Sequence, residues 1–95
     1  MPYIHITRSP GVGLREYRIV HQALGPEPIA GNLLSIVGES DGALHVVDLW
    51  ESAAAADRFA AERLFPAFAR TGIRPGPGET VTAFDAEVVI EHRRG

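Results

Sequence analysis

The stretch His45–Phe68, HVVDLWESAAAADRFAAERLFPAF, passes from one kind of secondary structure to another with almost no loop between them. His45 to Trp50 is rich in β-branched and aromatic residues, the composition of a strand. Ser52 follows in the position of a helix N-cap, where its hydroxyl can accept a free N–H of the first turn. The alanines and leucine beyond it are strong helix formers. Ala56, Phe59, Ala60, Leu64, Ala67 and Phe68 fall on the buried side of a helix running to about Arg70. Pro66 lies inside that helix. It has no N–H and its ring crowds the preceding turn, which predicts a kink or break near Leu64–Phe65. Trp50, at the end of the strand, sits where a large aromatic side chain can line a cavity.

The rest of the chain is placed by working outward from this segment. The strand Ala43–Trp50 is preceded by Ser40-Asp41-Gly42, a hairpin turn, because Asp-Gly readily takes the positive φ angles such turns need. Gly31–Ser40 is then the paired strand. Further back, Tyr3–Thr7 alternates as a first strand, Ser9–Gly13 (SPGVG) is a turn, and Leu14–Leu24 reads as a helix. Leu14, Tyr17, Val20 and Leu24 share one face of that helix. Gly25-Pro26 stops it, since glycine accepts the left-handed cap and proline cannot continue. On the C-terminal side, Thr71–Glu79 is a loop with two prolines and three glycines. Thr80–Ile90 is the fourth strand, and Glu91–Gly95 an expected frayed tail. The order β-α-β-β-α-β predicts an α+β, ferredoxin-like fold: a four-stranded antiparallel sheet with both helices on one face, in a single domain over residues 1–95. The other sheet face is left bare, and an apolar bare face calls for a partner, most simply a second copy of the chain.

Composition excludes several classes of function. The chain has 9 basic residues, all arginine, against 12 acidic ones, a net charge of −3. This is the wrong balance for a nucleic-acid binder, which needs a basic face. There is no cysteine, which removes disulfides, thiolate chemistry and cysteine-based zinc sites. No His/Asp/Glu spacing resembles a metal site, so no metal is expected. No run approaches the roughly 20 apolar residues that span a bilayer, and the N-terminal residues lack the apolar core of a signal peptide. The expected location is the cytoplasm, with no membrane partner. Gly11-Val12-Gly13 lacks the remaining glycine and the strand-to-helix context of a dinucleotide fingerprint.

Strand alternation assigns faces. Ile4 and Ile6 of the first strand, with Thr82, Phe84, Ala86, Val88 and Ile90 of the fourth, form the more apolar sets and are assigned to the helix side. Tyr3, His5 and Thr7, with Val81, Ala83, Asp85, Glu87 and Val89, then face away. In the third strand the sets Leu44, Val46, Asp48, Trp50 and His45, Val47, Leu49 are not separated by pattern alone, and the second strand stays open.

The segment Val46–Leu64, VVDLWESAAAADRFAAERL, resembles the dimeric α+β barrel proteins of the antibiotic-biosynthesis-monooxygenase type, in which an aromatic ends the third strand and Glu-Ser opens an amphipathic helix. The element order extends the resemblance over nearly the whole chain. It implies a homodimer whose two sheets enclose a cavity, with Trp50 and Asp48 on the bare face. It further implies chemistry such as cofactor-independent oxidation of phenols or quinols, haem degradation, or polyketide cyclisation. The helix departs from the family in one respect. Phe59 and Ala60 occupy the positions, nine or ten residues after the tryptophan, where many members and the haem degraders carry histidine. It matches instead a subgroup reading F-x-x-E-R-L-x-P, as Phe59, Glu62, Arg63, Leu64 and Pro66 do.

Within that frame the candidate catalytic residues are His5, whose unperturbed pKa lies near neutrality, and Asp48. Tyr3, Trp50, Asp85 and Glu87 are candidates for substrate binding. Asp48, Asp85 and Glu87 can form an acidic group in a cavity, each raising the others' pKa, or else pair with partner arginines. Trp50 fits a stacking platform for a flat ligand equally with an interface aromatic. His5 is alternatively an edge histidine, and His21, His45 and His92 read as structural, solvated and terminal. Glu62 with Arg63 reads as an ordinary charged helix face. Two functions follow. One is a cofactor-independent enzyme of monooxygenase or cyclase type acting on an aromatic or polyketide-like substrate. The other is a non-catalytic homodimer that binds a hydrophobic small molecule or assists another enzyme.

Overall fold

The computed structural model describes residues 1–92. β1 (Tyr3–Pro10), α1 (Leu14–Ala23), β2 (Asn32–Ser40), β3 (Ala43–Trp50), a second helix in three parts and β4 (Thr80–Asp85) follow in that order. All strand pairs are antiparallel and the sheet runs β2-β3-β1-β4. This is the expected β-α-β-β-α-β arrangement. The Asp41-Gly42 turn has φ of 53° and 72°, both in the left-handed region, so the two-residue turn matches the twist of β2 and β3.

Three local features differ from the sequence reading. β1 continues to Pro10, because Ser9 and Pro10 still align with Leu44 and Ala43 of β3. β4 ends at Asp85 rather than Ile90; the last link of this edge is the Ala86 N–H donating to the Pro2 carbonyl at 2.8 Å. Val88 and Ile90 beyond it are exposed. The expected fraying concerns residues of which 93–95 lie outside the described ones.

The second helix shows what Pro66 does. α2 (Ala53–Phe59) is capped by Ser52, whose Oγ accepts the Ala55 N–H at 3.1 Å. A π-helical segment, Ala60–Leu64, follows, and then α3 (Phe65–Thr71) with Pro66 in its first turn. Proline cannot donate to the carbonyl four residues back and its ring would crowd that carbonyl. Widening the turn relieves both problems, and the Phe65 N–H reaches the Ala60 carbonyl instead. The predicted break therefore takes the form of a π segment ending at Leu64. α3 closes on Gly72 in the left-handed conformation, φ 72°.

Arg63, read from sequence as part of an ordinary charged face, has a structural task. Its guanidinium donates to the carbonyls of Pro28 at 3.0 Å and Leu24 at 2.8 Å, and Arg70 donates to that of Ala23 at 2.6 Å. Two cations thus satisfy carbonyls at and beyond the C-terminal end of α1, where the helix dipole favours positive charge. They tie α1 to the split helix it packs against.

Register fixes the faces. Residues opposite one another in an antiparallel pair point the same way. Tyr3, His5, Thr7 and Ser9 are opposite Trp50, Asp48, Val46 and Leu44, and Tyr3, His5 and Thr7 are also opposite Asp85, Ala83 and Val81. Leu33 is an extra residue in β2, a bulge that brings both Asn32 and Ser35 onto this same side, opposite Trp50 and Asp48. This is the helix side. The assignment made from alternation is therefore reversed: Tyr3 and His5 face the helices, while Ile4, Ile6 and Phe84 face away; Trp50 and Asp48, which the resemblance puts on the bare face, also face the helices. The outward face combines Ile4, Ile6, Leu34, Ile36, Val47, Leu49 and Phe84. Leu34, Ile36 and Phe84 are 53 %, 57 % and 49 % exposed.

Candidate functional site

The space between helices and sheet is not filled by side chains. The buried apolar core is small, made of Val20, Ala43, Leu44, Trp50, Ala55 and Ala67, and among the described residues no large side chain is completely enclosed. A hollow of about 750 Å³ remains, within the range of small-molecule sites. The sheet wall contributes His5, Thr7, Val46, Asp48, Trp50 and Ser35. Tyr17, Val20, His21 and Leu24 of α1 form a second wall. Phe59, Ala60, Leu64, Phe65 and Phe68 of the split helix form a third, and Ile73 to Gly76 with Glu79 close one end. The π segment widens the helix where Ala60 and Leu64 meet this space. The cavity lies inside one chain, under the helices, and not between two sheets as the resemblance implied.

Trp50 is 3 % exposed and its ring lies 5.2 Å from that of Phe59, tilted by 38°. The pair forms an aromatic end wall. Phe59, at one of the positions where the resemblance led to an expected histidine, serves here as the ring partner of Trp50.

Asp48 and His5 are cross-strand neighbours on the sheet wall, so their Cβ atoms are roughly 5 Å apart. Burial pushes the Asp48 carboxyl above the usual carboxylate range; the Ser35 hydroxyl and the His5 ring pull it partly back. Tyr17 faces the same carboxyl from α1. Burial, and secondarily the negative charge of Asp48, raise its phenol above the ordinary value, so it stays a hydrogen-bond donor. Its ring centroid lies 5.7 Å from that of His21.

Of the residues singled out from sequence, His5, Asp48 and Trp50 meet in the hollow. Tyr3 shares their face but does not line it. Asp85 is exposed at the end of β4 and Glu87 lies beyond that strand, so the acidic group of three does not assemble. Asp48 stands among His5, Ser35 and Tyr17 instead. Tyr17, Ser35 and His21 were missed as site residues. By sequence Tyr17 reads only as part of the apolar stripe of α1, and His21 as structural. Among the described residues no group of three or more His, Cys, Asp or Glu is placed to hold a metal ion, and no helix is long and apolar enough to cross a membrane.

No protein-family model matches the sequence, and no curated protein matches it. Solved structures do match the fold. Rv0793 from Mycobacterium tuberculosis superposes with a TM-score of 0.73 at 16 % identity, covering 96 % of this chain and 100 % of that one. SnoaB, a cofactor-independent oxygenase from Streptomyces nogalater, gives 0.68 at 11 % identity over 96 % and 98 % of the two chains. A monooxygenase from the ActVA-Orf6 gene of Streptomyces coelicolor, in complex with nanaomycin D, gives 0.61 at 18 % identity over 96 % and 92 %. Other structures of the same shape are antibiotic biosynthesis monooxygenases. The chain has the antibiotic-biosynthesis-monooxygenase fold, with His5, Asp48 and Trp50 gathered in its helix–sheet hollow.

Proposed function

We propose that the chain is a cofactor-independent enzyme that takes a flat phenolic or quinol substrate of aromatic-polyketide type into the helix–sheet hollow. The observation that carries this reading is an aromatic pair, buried Trp50 and half-buried Phe59, in the same hollow as a half-buried carboxylate beside a histidine. The aromatic wall supplies stacking area for a planar ring. Asp48, made more basic by burial, accepts the proton of the ring hydroxyl, and His5 holds the carboxylate through charge. Removing that proton makes the ring electron-rich enough to give electrons directly to dioxygen, the co-substrate. For a phenol with a free para position the balance is phenol plus O2 giving quinone plus water. A cyclase-type reaction uses the same base on a C–H proton between two carbonyls, the resulting enolate attacking a third carbonyl of the chain without dioxygen. The apolar outer sheet face fits a homodimer, and a cytoplasmic location goes with this reading. It is also supported by the shared fold of an oxygenase and of a monooxygenase that holds nanaomycin D.

The test is oxygen uptake and quinone absorbance with anthrones and naphthols. Asp48→Asn should lower turnover by about a hundredfold or more, the usual contribution of a positioned base, while retaining binding within a few fold. Turnover that survives this substitution removes the proton-transfer role. Binding by the wild-type chain without any oxygen uptake or cyclised product points to the non-catalytic binder.

A further inference from the structure

We propose that Tyr17 donates a hydrogen bond to the same substrate oxygen that Asp48 deprotonates, so that one oxygen is held between the helix wall and the sheet wall. This rests on the functional reading above and adds a residue to it. Tyr17 projects into the hollow from α1, on the side opposite the strand that carries Asp48. Its hydroxyl has no protein hydrogen-bond partner among the described residues, although its ring is half-buried and set against His21. The hydroxyl oxygen is not itself buried, so it opens on the hollow with its proton free for whatever occupies that space. The acceptor cannot be a second donor, and Asp48 across the gap is the group nearest in character. An oxygen atom placed between the two satisfies both: as a phenol it donates to Asp48, and once deprotonated it accepts from Tyr17.

The division of labour has a chemical consequence. A tyrosine held protonated stabilises the substrate phenolate, and so lowers the pKa of the bound substrate. Asp48 acts in the opposite sense, because its negative charge opposes a second one nearby. The titratable and charged groups lining the hollow are Asp48 and His5 from the sheet, His21 and Glu16 from Tyr17's own helix, and Arg74 and Glu79 from the segment that closes one end. Hydrogen bonds to charged groups are the stronger ones, so the effect of Tyr17 is expected to be about tenfold on the ionisation of the bound phenol.

The probe is 1-hydroxyanthraquinone, whose visible spectrum changes on ionisation, with anthraquinone as the control lacking the hydroxyl. The pH at which the bound hydroxyl ionises is read in wild type, Tyr17→Phe and Asp48→Asn. Tyr17→Phe keeps the ring and its contact with His21, so folding is preserved. The expected result is a bound ionisation shifted upward by about one unit in Tyr17→Phe. Affinity for anthraquinone should stay within about twofold, while Asp48→Asn shifts the ionisation the other way. Equal ionisation in wild type and Tyr17→Phe, with both binding the probe, overturns the role of Tyr17 and leaves the functional reading standing. Failure of the wild type to bind either compound overturns both.

Discussion

Asp48 carries a cost in the folded state. Its carboxyl is buried enough for its pKa to rise, with the Ser35 hydroxyl and His5 offsetting only part of the penalty. A group whose folded pKa is raised binds its proton more tightly when folded. Its contribution to stability is therefore present below the unfolded carboxylate pKa and is lost as pH rises through the folded value. Ionisation of Asp48 in the folded chain is thus destabilising. Asp48→Asn should raise Tm at pH 7 by roughly 2–4 °C and leave it nearly unchanged at pH 3. A drop in Tm at pH 7 would mean that Asp48 is a structural anchor and not a poised base. Stability given up at one half-buried carboxylate, set in a cluster of polar groups, is the usual mark of a residue kept for chemistry.

Among the elements, the split helix and its arginines decide how α1 is held over the hollow. The Arg63–Glu27 approach is 3.9 Å, with Glu27 mostly exposed, so it contributes little. The two bonds from Arg63 to the Pro28 and Leu24 carbonyls are charge-assisted, and the one to Leu24 is partly shielded. Arg63→Ala should cost about 1–2 kcal/mol, several degrees in Tm, whereas Glu27→Ala should cost less than about 0.5 kcal/mol. Equal losses in thermal melts of the two variants would show that the ion pair, not the carbonyl capping, joins the helices. The elements themselves were legible: caps such as Ser52, the Asp41-Gly42 turn and Pro66 act locally, within a few residues of where they are read. The faces were not. Ile4, Ile6 and Phe84 look like core because they are apolar, and His5 and Asp48 look like surface because they are polar. That rule holds where the space under the helices is packed. Here the space is a hollow with a polar cluster, and the apolar face lies on the other side of the sheet. The Leu33 bulge, which flips the parity of β2, leaves no mark in the sequence pattern. Arg63 was equally opaque, because its partners are carbonyls thirty-five and thirty-nine residues away.

For the molecule as a whole, the outward sheet face is the largest unexplained feature of an isolated chain. Leu34, Ile36 and Phe84 present contiguous apolar surface alongside the half-buried Ile4, Ile6, Val47 and Leu49. A soluble chain rarely leaves such a face uncovered. Light scattering should give a dimer for the wild type. Ile36→Glu, which puts a charge on the β2 side of that face, should raise the dimer dissociation constant by at least about thirtyfold and yield monomer at micromolar concentration. An unchanged dimer mass would place the interface elsewhere. The chain contains one tryptophan, Trp50, on the wall of the hollow. Its fluorescence therefore reports the central claim directly: that a flat phenolic ring lodges under the helices against the Trp50–Phe59 pair. Titration with 1,4-dihydroxynaphthalene under nitrogen should quench Trp50 emission saturably, with one ligand per chain, and Phe59→Ala should weaken the apparent affinity by about tenfold. Quenching that rises linearly without saturation, or saturation that Phe59→Ala leaves untouched, would contradict it.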